Sequence, residues 1–406
     1  MSGQAVQIAA MTDLPGGQVQ HPAAIAANDA YAAKLHTSLE AVRPLWLRLQ
    51  AEGVCTGHQN YAWAEGIVAR LLPESAELLI VEVVDAATGE PRMLVPLMRR
   101  RAFHHWVVEW LSCGVCDYSA PLLADASPWT RQSAQAAWAA VRSALPPSDR
   151  VHIVGIPQLI HGVANPLALL PTTRDSIQTT FGLAIDGDPE TALKRLCRPS
   201  FVKEFGKDWR RLERLGGVEL VEAGAPAEVE RIFGELVRMR LDRFRELGRF
   251  DLLTQEKMVD FYRNAAIQGL LDGSVRLFGL LVGEALIAVQ YLLVHQGTVH
   301  ALLIAMDQGV VPNVSPGLAI MGRLIGWARE RGFEYFDLSV GNQSYKEHMG
   351  AKGSVLVELC HGFTMRGNVA SAVIEFRRRA EAFVRSNPRL LKAVQGTMRG
   401  LRRLRG

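Results

Sequence analysis

Three runs of branched and aliphatic residues, Val275–Val282, Ala285–His295 and Thr298–Met306, follow one another with only Gly283-Glu284 and Gln296-Gly297 between them. Short β-prone runs split by two-residue, glycine-containing breaks predict a meander of antiparallel hairpins. The period then changes. Leu318, Met321, Leu324, Ile325 and Ala328 recur at three- and four-residue steps, the spacing of one helix face. Ser315 suits the N-cap of that helix, Pro316 its first turn, and Gly317 leaves the backbone approachable. Arg331-Gly332 closes the helix, and residues 333–340 return to a strand pattern.

The same order occurs earlier in the chain. Helical patterns at 39–50 and 61–72 precede strand patterns at 77–85, 92–98 and 103–111. Ser127-Pro128 then opens a helix over 129–145, and 151–156 reads as the closing strand. Laid over the later run, Asp117 falls where Asp307 falls, and Ser127-Pro128 where Ser315-Pro316 fall. The third position differs: Trp129 stands against Gly317, and an indole there obstructs an approaching anion. The overlay predicts two tandem folds, although any mixed α/β chain yields some resemblance of this kind. Between them, 193–215 reads as one strongly charged helix with Arg195, Arg198, Lys203, Lys207, Arg210, Arg211 and Arg214 on it. Such a run is either a solvated face or a cationic wall. Helices at 228–245 and 255–271 follow.

Length and composition change the picture little. The 406 residues are 49% hydrophobic, enough for a large core and for two or three domains. The expected division is a flexible lead-in at 1–33, an N-terminal unit at 34–180, a C-terminal unit at 181–365 and a basic tail at 366–406. No apolar run approaches the roughly 20 residues that span a bilayer, and the start lacks the order of a secretory signal. Five cysteines without framework spacing fit a reducing compartment, so the cytoplasm is the expected location. The single C-x-x-C of Cys113 and Cys116 has no second ligand pair, so no metal is expected. In the tail, Arg377, Arg378, Arg379, Arg385, Arg389 and Lys392 alternate with an apolar stripe. That pattern suits peripheral contact with an anionic membrane, or a helix that caps a domain. Nucleic acid is not an expected partner, because no basic, aromatic-interleaved motif accompanies the charge.

The candidate chemistry gathers at the end of the later run. First-turn amides of a helix lack intrahelical partners and favour negative charge, so a diphosphate fits against Ser315, Pro316 and Gly317. Amides around Ala305, Met306 and Asp307 are placed to polarise a carbonyl. Asp337, between Phe336 and Leu338, reads either as a general base raised by an apolar setting or as a structural carboxylate. Lys346 reads as a substrate-anion ligand or a partner of Asp337. Gln290 is a candidate substrate contact, and His300 and His348 are spare acid–base groups. No Ser-His-Asp spacing, H-E-x-x-H or Walker loop is present.

Several blocks resemble the GNAT superfamily of acyl-CoA-dependent N-acyltransferases, in its CelD-like or BioF2-like bacterial branch. They are Gly283-Glu284-Ala285-Leu286-Ile287-Ala288 with Gln290, Asp307, Ser315-Pro316-Gly317, Phe336-Asp337-Leu338, Gly341 and Tyr345-Lys346. Earlier, Cys116-Asp117-Tyr118, Pro121-Leu122 and Asn165-Pro166-Leu167 resemble it too. The usual Gln/Arg-x-x-Gly-x-Gly/Ala pyrophosphate loop is replaced by Val314-Ser315-Pro316-Gly317. The resemblance implies an α/β (α+β) fold of tandem units, each a mixed, mainly antiparallel sheet flanked by helices. It implies acetyl-CoA or a longer acyl-CoA as co-substrate, and a small-molecule, amino-sugar or polysaccharide-precursor amine as acceptor. Tyr345 would protonate the leaving thiolate, beside Asp337 and Lys346 as catalytic residues, with Gln290 and Gly341 on the substrate. Fem-like relatives imply an alternative, transfer of an aminoacyl group from charged tRNA, and a catalytically silent membrane scaffold is a third reading.

Overall fold

The computed structural model describes residues 30–188, 191–307, 309 and 311–386. The lead-in up to residue 29 and the tail basics from Arg389 onward lie outside the described residues. Strand β1 (Tyr31–His36) shows that residues 31–33 belong to the first unit rather than to a lead-in. Helices α1 (Leu39–Glu52) and α2 (Tyr61–Arg70) precede the meander β2 (Glu77–Asp85), β3 (Pro91–Ala102) and β4 (His105–Trp110). The short strand β5 (Leu122–Leu123), helix α3 (Arg131–Ala144) and strand β6 (Arg150–Ile156) follow. A small hairpin, β7 (Leu159–Ile160) and β8 (Val163–Ala164), leads into β9 (Thr173–Ala184).

The second unit opens with α4 (Ala192–Leu196), α5 (Pro199–Arg214), β10 (Val218–Glu222), α6 (Pro226–Glu246) and α7 (Glu256–Asp272). The one charged helix expected over 193–215 is therefore two. Pro199, at the first position of α5, is where the chain restarts, since proline cannot donate to the turn before it. The meander β11 (Val275–Val282), β12 (Ala285–His295) and β13 (Thr298–Met306) has the predicted bounds. Then come α8 (Pro316–Glu330), β14 (Tyr335–Val340), α9 (Ser344–Met349), β15 (Lys352–Gly362) and α10 (Met365–Ser386).

Among the described residues thirteen strands form one sheet, in the order β1-β2-β3-β4-β6-β15-β9-β14-β13-β12-β11-β10, with β5 on β3. Only two described pairings are parallel, β4 with β6 and β13 with β14. Both are short. β4 meets β6 at Val107↔Arg150 and Val108↔Val151, and β13 meets β14 from Thr298↔Tyr335 to His300↔Asp337. Meander, helix, short parallel contact and splay thus occur twice, the tandem arrangement expected from the sequence. The units are stitched together: β15, late in the chain, pairs with β6 of the first unit and with β9. The predicted boundary at 180/181 falls inside β9.

Alternating faces of the meanders explain the packing. One face of β11–β13, including Leu277, Val289, Tyr291 and Leu293, packs with α1, α2, α6 and α7. The other, with Phe278, Leu280 and Val299, packs under α8. Helix α3 packs on β1 and β2 and closes a core that β3 and β6 share. It starts at Arg131 under a Thr130–Ser133 capping box, not at Ser127-Pro128. Trp129 lies ahead of that helix, buried and stacked on Tyr31.

Candidate active site

The splay of β13 from β14 has a local cause. Asp337 Oδ1 accepts the Ser339 amide at 2.7 Å, Ser339 takes a left-handed φ of 60°, and Gly341 follows at 123°. A carboxylate that captures the backbone two residues on bends the chain out of the ladder. Gly341 is the turn that completes the bend, and a Cβ there would meet the Gln343 side chain at 2.7 Å. The strands part after His300↔Asp337, leaving a cavity of about 270 Å³. Ala301–Ile304 form one wall and Leu338–Val340 the other; Tyr345, Lys346, Gln343, Asp117 and Arg240 complete it.

Lys346 is 2% exposed, and its Nζ donates to Ser339 O at 2.9 Å and Val340 O at 3.1 Å. Burial pulls its ammonium down to about 8, against the opposing pull of Asp337 and Asp117. Burial raises the Tyr345 hydroxyl to about 12. Asp337 departs from the raised-carboxyl reading and accepts a backbone amide, as the structural-carboxylate reading has it. Burial by itself would raise it, but His300, the Tyr118 hydroxyl and the Ser339 amide together outweigh burial and hold it below the usual carboxylate range. His300 Nδ1 sits 2.9 Å from Asp337 Oδ2, which makes the imidazole the donor to an ionised carboxylate. An apolar neighbourhood in sequence is not an apolar environment once these donors converge.

Asp117 comes from the first unit. Burial, then the Asp337 charge, raises its carboxyl, against the Val340 amide, the Ser339 hydroxyl and Lys346. Two carboxylates flanking one lysine are therefore pushed in opposite directions. Asp117 also lines a second cavity of about 560 Å³ at the splay of β4 from β6. That cavity contains the Arg100–Glu109 pair (2.6 Å), His152 and Lys257, and shares Gly114, Asp117 and Val340 with the first. The two splays meet at Asp117. No residue of the charged α5 lines either.

The other predicted positions separate. Asp307 gives its amide to Ile287 O at 2.9 Å. By the alternation of an antiparallel ladder this turns the Ala305 polar groups toward β12 and those of Ile304 and Met306 toward the splay. Ile304 O there accepts Arg240 Nη1 at 3.1 Å. Of the three amides singled out, Met306 alone faces the cleft. Ser315 makes no side-chain cap; its amide goes to the buried Asp208 carboxylate at 3.0 Å. Pro316 and Gly317 are buried, and a Cβ at Gly317 would stand 2.5 Å from the Met306 methyl. Gln290 is buried in β12, bonded through Nε2 to Tyr291 O, and does not line the cleft. His348 faces Glu204 instead. Asp208 and Arg240 had no sequence signal, since Ser315 and Ile304, the groups they bind, lie 107 and 64 positions away.

Residues 199–347 match the acetyltransferase (GNAT) domain family, which supports a GNAT-type transferase domain over that stretch. No curated protein matches the chain. Among solved structures, FemX is similar over 80% of this chain and 96% of its own, with TM-score 0.56 and 11% identity. The C-terminal domain of a putative lysylphosphatidylglycerol synthetase from Agrobacterium fabrum covers 83% and 95%, with TM-score 0.49 and 13% identity. A tandem GNAT protein from the clavulanic acid biosynthesis pathway covers 81% and 98%, with TM-score 0.42 and 12% identity. The FemX likeness is one of fold.

Proposed function

We propose that the protein is an acyl-CoA-dependent N-acyltransferase whose donor lies in the β13–β14 splay and whose amine acceptor enters from the β4–β6 splay. The observation that carries this reading is the meeting of the two clefts at Asp117 and Val340, with Lys346 between two carboxylates. The unpaired edge at Ile304 and Met306, where Arg240 holds the Ile304 carbonyl, offers its remaining backbone groups to the amide-bearing arm of CoA, as one more strand would take them. The start of α8 is half committed: Asp208 holds the Ser315 amide, while the Gly317 and Leu318 amides lack intrahelical partners. The Met306 thioether beside Gly317 is a flexible end that can yield to a phosphate. The residues therefore fit such a co-substrate, which would supply an activated acyl carbonyl.

Around it, Asp117, with its raised carboxyl, takes the proton of the acceptor ammonium. Asp337 stays ionised, orients His300 and fixes the Ser339 turn. Lys346 places a cation where negative charge develops, and Tyr345, protonated at neutral pH, gives a proton to the departing thiolate. The acceptor class stays as the resemblance implies, a small-molecule, amino-sugar or glycan-precursor amine. Thermal unfolding with CoA, acetyl-CoA and longer acyl-CoAs tests the reading. A ligand at a hundred times its dissociation constant adds about 2.7 kcal/mol, and Gly317→Trp should abolish the gain. Stabilisation by charged tRNA but by no CoA would move the Fem-like alternative to the front.

A further inference from the structure

The β3–β4 hairpin turns on two residues, Phe103 and His104, between the paired Ala102 and His105. Two-residue hairpins place left-handed backbone at the first central position, the reason glycine or asparagine is favoured there. Here Phe103 holds it, with φ 55°, and its ring is 94% exposed. A bulky side chain in that conformation is strained, and an exposed ring gains nothing from packing in return. The turn presents an aromatic group to solvent against both preferences.

A second apolar group lies beside it. Met365, Val369, Val373 and Phe376 recur along α10 and are 86%, 66%, 48% and 73% exposed. His104 and His105 line one depression with Met365, Arg366, Val369 and Ala370, so hairpin tip and helix form a single surface. Exposed Arg101 and Arg366 flank it. At its base Trp106 carries the guanidinium of Arg99 at 4.5 Å and of Arg101 at 5.8 Å. Three carboxylates of the region already have partners within the protein: Glu77 pairs with Arg99 at 2.7 Å, and the charge of Asp149 is felt by Arg366 and His105. Asp149 binds the Trp106 amide and the Thr364 hydroxyl, each at 2.7 Å, and Glu375 pairs with Arg174. Apolar side chains beside the exposed Arg101 and Arg366, with an aromatic at the tip, match the headgroup–acyl boundary of an anionic bilayer.

We propose that Phe103 and the exposed face of α10 dock peripherally on an anionic phospholipid surface. No helix of the described residues is long and apolar enough to cross a membrane, so the contact is interfacial. It stands independently of the catalytic reading. Flotation of the full chain tests it, using vesicles of phosphatidylcholine alone and of equal parts phosphatidylcholine and phosphatidylglycerol. The protein should float with the mixed vesicles, not with the neutral ones, and less as salt rises. Phe103→Ser, and Met365→Ser with Val369→Ser, should each weaken partition about tenfold or more, the ratio that burying one large apolar side chain produces. Phe103→Gly guards against misfolding: it relieves the turn, so its thermal midpoint should match or exceed wild type while vesicle binding falls. Three results would overturn the proposal. They are no flotation with mixed vesicles, flotation unchanged in the variants, or a concentration-dependent dimer that the variants dissolve, which would assign the surface to a second copy.

Discussion

Replacing Lys346 by methionine separates electrostatics from packing at the centre of the site. The side chain is almost wholly buried, and its ammonium falls from 10.5 to about 8. At about 1.36 kcal/mol per tenfold change that difference is worth roughly 3 kcal/mol. Below pH 8 both folded and unfolded chains hold the proton, and the folded chain bears the full cost of a buried cation. Between about 8 and 10.5 the unfolded chain keeps a proton that the folded chain has released. Unfolding then takes up protons, and stability rises with pH. Lys346→Met is of similar length and cannot titrate, so it lacks this gain. Urea unfolding of both proteins at pH 7 and at pH 10.5 measures the difference, and other titrating groups cancel between them. Wild type should gain up to about 3 kcal/mol on the variant as pH rises. A difference that stays flat, or moves the other way, would refute the assignment of a buried, partnered ammonium. Acyl transfer by the variant should fall at every pH.

Asp117→Asn should lower the turnover number by about a hundredfold or more and remove the acid limb of the pH–rate profile, with an unchanged unfolding midpoint. A parallel loss of stability would mark Asp117 as structural. Arg240→Met leaves the buried Asp251 carboxylate, now 2.7 Å from the guanidinium, without its partner; denaturant unfolding should register a loss of about 3–5 kcal/mol. Gly269→Ala in α7 would place a Cβ 2.5 Å from Val275 Cβ and 2.7 Å from its carbonyl oxygen. Backbone cannot swing aside as a side chain does, so a loss of about 1–3 kcal/mol is expected in the same assay.

Much of the scaffold was legible from residue order. The bounds of β11, β12, β13 and α8 follow from local periods and turn residues, because hairpins and amphipathic helices are decided by neighbours in sequence. The repeat was legible for the same reason. The start of α3 was not, since Thr130 and Ser133 form a capping box that competes with Ser127-Pro128, and the choice rests on which backbone amides get partners. The charge state of Asp337 was hidden in another way. Its sequence neighbours are apolar, whereas its partners are His300, Thr180 and Tyr118, reached only across the sheet.

What the sequence determined by itself was therefore a pair of similar units, each with a meander, a helix and a returning strand, and Lys346, Tyr345 and Asp337 near the end of the last one. The tertiary structure decided that β15 would join the two units in a single sheet, and that Asp117 would stand where their clefts meet. It also decided that a carboxylate from α5 would take one amide at the start of α8. Those outcomes depend on contacts between residues a hundred or more positions apart. Local propensity carries no term for such contacts, and burial with hydrogen-bond satisfaction settles them only when the chain has closed.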